Sequence, residues 1–124
     1  MGLYNFQKRF VPMILDGSKT HTIRAERAHP DRSGNWLYLY TGLRQKGAQL
    51  LMRALCTRVE EISIDASGII FVDSIRLCPD EAEQLARRDG FSCYAEMMGF
   101  WEGRLPFKGQ IIHWGRRWMT SEAQ

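Results

Sequence analysis

Cysteine is scarce in this chain of 124 residues: Cys56, Cys78 and Cys93 stand far apart, with no C-x-x-C pair. An odd number at such spacing fits reduced thiols, as expected of a cytoplasmic protein, better than a disulfide framework. Histidine is as sparse. His21, His29 and His113 share no ligand spacing with the cysteines, so the sequence suggests neither a structural zinc site nor any other cofactor. No apolar run approaches the roughly 18 residues that span a bilayer, which argues against a membrane partner. The opening "MGLYNFQKRF" has no apolar stretch of the kind a secretory signal carries. Its Met-Gly start is not read as a myristoylation signal, because Phe6 stands where Ser or Thr is wanted. There is no repeat, no low-complexity segment and no linker. The expectation is one domain over 1–118 and a frayed tail, "MTSEAQ", at 119–124. Excess charge is also small. A net +3 permits an anionic partner such as a nucleotide or RNA without demanding one.

What is present suits a folded domain. Hydrophobic residues make up 44% and charged ones 25%, and the chain is long enough to bury one core. Phe6, Phe10, Met13 and Ile14 recur at helical spacing. Pro12 is tolerated only in a first turn, so a helix is expected from about Phe10, ended by Gly17 in the left-handed conformation. "TIRAERA" reads as a short strand. In "NWLYLYTG", Trp36, Tyr38 and Tyr40 point one way and Leu37 and Leu39 the other. "QLLMRALCTRVEEISI" reads as a long strand, and "GIIFVDSIRL" as another, opened by the turn "DASG". "CPDEAEQLARRDGF" starts a helix with Pro79 and acids in its first turn, and Gly90 ends it. "SCYAEMMGFWEG" is a second helix with Ser92 as N-cap and Tyr94, Met97, Met98 and Trp101 on one face. "KGQIIHWGRRW" closes as a strand. Strands predominate without β-α-β alternation. The expectation is an α+β fold: a small, partly open antiparallel barrel with short helices packed on it.

The segment "DGSKTHTIRAE" concentrates polar chemistry directly behind the first helix. Each residue also has an ordinary explanation. Lys19 after a helix C-terminus complements the helix dipole. Thr20 and Thr22 are common strand formers. Arg24 and Glu26 suit a surface pair, and Asp89 before Gly90 suits a turn. In a regular strand Lys19 and Thr22 would point to opposite faces. They can act together only if Lys19 lies in the turn after Gly17, which predicts irregular backbone at Ser18–Thr20.

"GSKTHTIR" resembles the G-x-K-x-x-x-x-R signature of the ASCH domain, a branch of the PUA-like barrels. The resemblance extends over nearly the whole chain, through "NWLYLYTGLR", "LARRDGFSCYAEMMGFW" and "GQIIHW". It implies a PUA-like barrel. The family is functionally divided: some members are thought to bind RNA, some are reported as ribonucleases, and small bacterial ones hydrolyse N4-acetylcytidine and related N4-acylcytosines. This chain is similar to the last group in size and in its G-x-K-T-x-T-x-R form. The resemblance therefore implies a metal-independent amidohydrolase with Lys19 and Thr22 as catalytic residues. The family's catalytic Glu falls nearest to Asp89, one methylene shorter.

The chemistry agrees with those residue types. A Thr hydroxyl needs an adjacent base to act as nucleophile. A Lys serves as that base where burial or a nearby cation pulls its pKa toward neutrality. A carboxylate such as Asp89 can carry a proton to the leaving amine or orient its neighbours. Thr20, Arg24 and Tyr40 are the candidate substrate-binding residues, and Trp36 is expected in the core. The alternative is an RNA-binding module or slow ribonuclease, with Arg44, Lys46, Arg53, Arg116 and Arg117 as the cations to test. A flat base could stack on the aromatic strand face. The sequence fits a monomer or a homodimer equally.

Overall fold

The computed structural model describes residues 2–118, the last three as backbone only, so the expected frayed tail lies outside the described residues. In chain order the elements are β1 (Gly2–Phe6), a 3-10 turn (Lys8–Phe10), α1 (Val11–Asp16), β2 (His21–Ala25) and β3 (Trp36–Thr41). Then follow β4 (Gln49–Ile64), β5 (Ile70–Val72), β6 (Ile75–Arg76), α2 (Pro79–Arg88), α3 (Tyr94–Trp101) and β7 (Phe107–Trp118). The fold is α+β, with a seven-stranded sheet and three short helices. Strands pair in the order β1-β3-β4-β5-β6, and β7 pairs with both β4 and β2. This pairing leaves the sheet open. The expected all-antiparallel arrangement is corrected to a mixed sheet, because β1 runs parallel to β3.

The chain divides into two compact units, and β4 and β7 contribute residues to both. Among the described residues the first comprises 2–20, 31–59 and 113–118. Its core takes Tyr4 and Phe6 from β1, Leu37 and Leu39 from β3, Met52 from β4, and Ile14 from α1. β1 was not expected. Phe6 fits the helical spacing of Phe10 and Ile14, but it ends a strand in which Gly2, Tyr4 and Phe6 face inward and Leu3 and Asn5 outward. That period of two is short, and its partner, β3, is far along the chain. As expected, α1 carries Pro12 in its first turn and stops at Gly17, whose φ of 86° is costly for a residue with a side chain.

β3 also departs from expectation. Trp36 is 37% exposed, not in the core, and the Arg53 guanidinium lies 5.1 Å from its ring centre. The reason is the pleat: Leu37, Leu39 and Thr41 occupy the buried face, leaving Trp36, Tyr38 and Tyr40 on the other. The register slips by one residue between Leu39 and Tyr40, where β4 bulges.

The second unit comprises residues 21–30 and 60–112. Ile62, Ile64, Ile70, Leu85, Met97 and Trp101 form its core, each worth about 1.5–3 kcal/mol of apolar burial. "GIIFVDSIRL" is a hairpin and not one strand. Asp73 and Ser74 both adopt positive φ (50° and 69°), as a two-residue turn between paired strands requires. The turn is fastened to β4: Oδ1 of Asp73 accepts the Glu61 N–H at 3.0 Å, and the Asp73 N–H donates to the Glu61 carbonyl at 2.8 Å. α2 begins at Pro79 as expected. α3 begins one residue later than expected, with Cys93 at the cap, because the Ser92 N–H is taken by Glu96 Oε1 at 2.6 Å.

Candidate functional site

The polar segment behind α1 starts in the first unit. After Gly17 the backbone is neither helix nor strand through Thr20, the irregularity that releases Lys19 from strand alternation. Local bonds hold it: the Ser18 N–H donates to Asp16 Oδ1 at 2.8 Å, and the Lys19 N–H to the Met13 carbonyl at 3.0 Å. The Thr20 carbonyl accepts the Trp114 N–H at 2.9 Å. Lys19 itself is 3% exposed, rare for a lysine. Its Nζ lies 5.0 Å from the Phe10 ring centre and 5.9 Å from that of Phe6. The faces of both rings attract an ammonium. Thr20 and Tyr40 are half-buried.

The second unit takes up the chain at β2, whose first three residues, His21, Thr22 and Ile23, are all buried. Arg24 is half-buried and donates from Nε to Thr22 Oγ1 at 2.9 Å. These two side chains therefore share a face of β2, and strand alternation assigns His21 to the other. β7 approaches this strand closely at Gly109, where a Cβ would stand 2.2 Å from the Arg24 carbonyl oxygen. Any side chain there would push the strands apart.

Asp89 caps the C-terminus of α2, and Gly90, at φ 105°, reverses the chain behind it. The carboxylate is 7% exposed. Its Oδ1 lies 3.2 Å from Nε2 of His21, a contact made off the axis of the ring N–H and so an electrostatic pairing more than an aligned hydrogen bond. Three other acids of this unit have structural partners. Glu83 accepts the Tyr94 N–H and the Arg87 Nε–H, Glu96 accepts the Ser92 N–H, and Glu61 accepts from Gln110.

The structure thus joins Thr22 to Arg24, and Asp89 to His21. His21 is the residue the sequence reading passed over. Its signal was position: a histidine between two threonines, on a strand whose first residues are all buried. Glu26, read as a surface partner of Arg24, is exposed, and Arg24 turns instead to Thr22. Among the described residues no group of three His, Cys, Asp or Glu side chains could hold a metal ion, and no helix is long and apolar enough to cross a membrane. Of the cations proposed for RNA, Arg44 and Lys46 are exposed and Arg53 is half-buried. The side chains of Arg116 and Arg117 lie outside the described residues.

In comparisons with known proteins, no family model matches the chain, and neither curated proteins nor solved structures show significant similarity to it.

Proposed function

We propose that the protein is a cytoplasmic amidohydrolase of the ASCH type, with a PUA-like fold, that cleaves the N4-acyl amide of N4-acetylcytidine and related N4-acylcytosines. The observation that carries this reading is the bond from Arg24 Nε to Thr22 Oγ1 at 2.9 Å on a buried strand. A guanidinium donating to a hydroxyl oxygen leaves the hydroxyl hydrogen for a base. It also stabilises the negative charge that grows on Oγ1 when that proton leaves.

The steps follow from that polarity. Lys19, three residues before Thr22, takes the hydroxyl proton, and Oγ1 attacks the acyl carbonyl carbon. The tetrahedral intermediate collapses, the C–N bond breaks, and the exocyclic amine of cytosine leaves with a proton returned from the lysine ammonium. Water then hydrolyses the Thr22 ester to free the acid and restore the hydroxyl. Asp89 is the orienting carboxylate of the mechanism: paired with His21 on the face of β2 opposite Thr22, it holds the strand that presents Oγ1 and does not touch the reacting atoms. Thr20, Arg24 and Tyr40 hold the base. None of these steps requires a metal.

The test is release of acetate and cytidine from N4-acetylcytidine by chelator-treated protein between pH 6 and 9, the range over which a tuned lysine base works. No release anywhere in that range rejects the reading. One observation favours a second reading, an RNA-binding module: the exposed Trp36 ring with Arg53 beside it is a platform on which a base could stack. RNA held through phosphate contacts would be released steeply as salt rises.

A further inference from the structure

The second unit contains a cavity of about 610 Å³ that includes neither Thr22 nor Asp89 in its lining. Its size lies within the roughly 300–1,000 Å³ of small-molecule sites. Ile69, Leu77, Pro79, Ala82 and the Tyr94 ring make most of its wall, and the wall is apolar. Hydrogen bonds fix it in place. Asp65 Oδ1 accepts the N–H groups of Ser67 and Ile69, each at 2.9 Å, which sets the loop leading into β5. The Tyr94 hydroxyl donates to the Gly68 carbonyl, tying α3 to that loop. Glu83 Oε1 accepts the Tyr94 N–H at 2.9 Å, tying α3 to α2. The cavity is preformed, so a ligand need not order it.

Its polar groups differ in one respect. Glu83 is occupied on both oxygens, by Tyr94 and by Arg87. The hydroxyl of Tyr94 is occupied by Gly68. Arg76, exposed at the end of β6, has no hydrogen bond or ion pair from its guanidinium among the described residues. The start of α2 cannot take an anion in its place. Pro79 has no N–H, Cys78 Sγ accepts the Glu81 N–H, Glu81 caps Cys78 in return, and Asp80 and Glu81 repel negative charge. One guanidinium beside an apolar wall, with the Glu83 carboxylate nearby, suits a single negative charge and not a phosphate dianion.

We infer that this cavity binds a small amphipathic monocarboxylate, its apolar body against Ile69, Leu77 and Ala82 and its carboxylate on Arg76. The inference stands independently of the amidohydrolase reading, whose substrate is an uncharged nucleoside. Cys78 supplies the readout. It is exposed and lines the cavity, whereas Cys56 is buried. Decanoate is the probe, and decanol is its uncharged counterpart. Decanoate should bind once per chain by calorimetry and slow alkylation of Cys78 by iodoacetamide, followed by mass spectrometry. Decanol should bind about tenfold or more weakly, the difference expected of one charge-assisted contact. Arg76→Gln, at an exposed position, should keep the melting temperature and reduce decanoate to the level of decanol. Absence of both heat and protection overturns the inference. So do equal binding of decanoate and decanol, and undiminished binding of decanoate by Arg76→Gln.

Discussion

Asp31 and Asp89 are each almost entirely removed from water, one in each compact unit. The donors to Asp31 include the Tyr4 hydroxyl at 2.6 Å and the Asn35 side-chain amide at 3.3 Å. Asp31 joins the first strand of its unit to the loop that enters β3. Asp89 meets the imidazole of His21 at 3.2 Å. Burial alone therefore does not single out a functional acid. The Tyr4 and Asn35 bonds tie Asp31 to β1 and to the loop before β3, whereas Asp89 bears on β2, the strand that carries Thr22. The same reasoning separates Asp89 from Glu83 and Glu96, whose oxygens serve backbone N–H groups at helix starts.

The comparison breaks at its root if there is no chemistry for Asp89 to serve. Thr22→Ala should lower kcat on N4-acetylcytidine by about 10³-fold or more, and Lys19→Ala by a similar factor, as the loss of a nucleophile or its base does. Thr22→Ser, which keeps the hydroxyl, should retain part of the rate. A Thr22→Ala protein with near-normal kcat removes the proposed mechanism.

The two aspartates can then be set against each other directly. Asp89→Asn should lower kcat by about 10²-fold, as the misplacement of catalytic groups by a lost orienting contact does, with KM little changed. Asp31→Asn should leave kcat per folded molecule unchanged and lower stability in urea by about 1–3 kcal/mol, as a mismatched buried partner does. Tyr4→Phe, which deletes one donor to Asp31, should act in the same direction as Asp31→Asn. If Asp89→Asn also lost only stability, Asp89 would join Asp31 as a structural acid.

How much of this was legible in the sequence follows from the range of the interactions. α1 with its Gly17 stop, the 16-residue β4, α2 from Pro79 and the closing strand are all set by local signals, and all stand where they were expected. Elements set by distant partners were not legible. β1 has five residues and is a strand because β3 lies beside it. Trp36 looks like core by residue type, but the pleat decides its face. The turn at Asp73 and Ser74 lacks the glycine that usually announces a two-residue hairpin. Within the candidate site, the irregular backbone at Ser18–Thr20 followed from alternation. The pairing of His21 with Asp89 did not, because it joins residues 68 positions apart (89 − 21).

The smallest effect sharpens the comparison from the exposed side. The Tyr94 N–H donated to Glu83, followed by the Arg87 side chain beside it, holds the Glu83 carboxyl below its ordinary value of 4.5. A carboxylate with a depressed folded-state pKa adds stability that is fully present above the unfolded pKa and is lost as pH falls through the folded one. Glu83→Gln keeps an oxygen for the Tyr94 N–H and loses the charge facing Arg87, an exposed pair separated by one helical turn whose attraction water and salt screen. The expected result is a slightly lower melting temperature for Glu83→Gln at pH 7, with the gap to the parent closing in acid, as the pH falls below the ordinary carboxyl value of 4.5 and through the lowered folded-state one. Thermal unfolding followed by circular dichroism at the two pH values measures it. A gap that persists in acid would mean that Glu83 acts through shape and not through charge. The contrast with Asp89, whose replacement by Asn should show in rate more than in melting temperature, would then rest on burial and not on charge at Glu83.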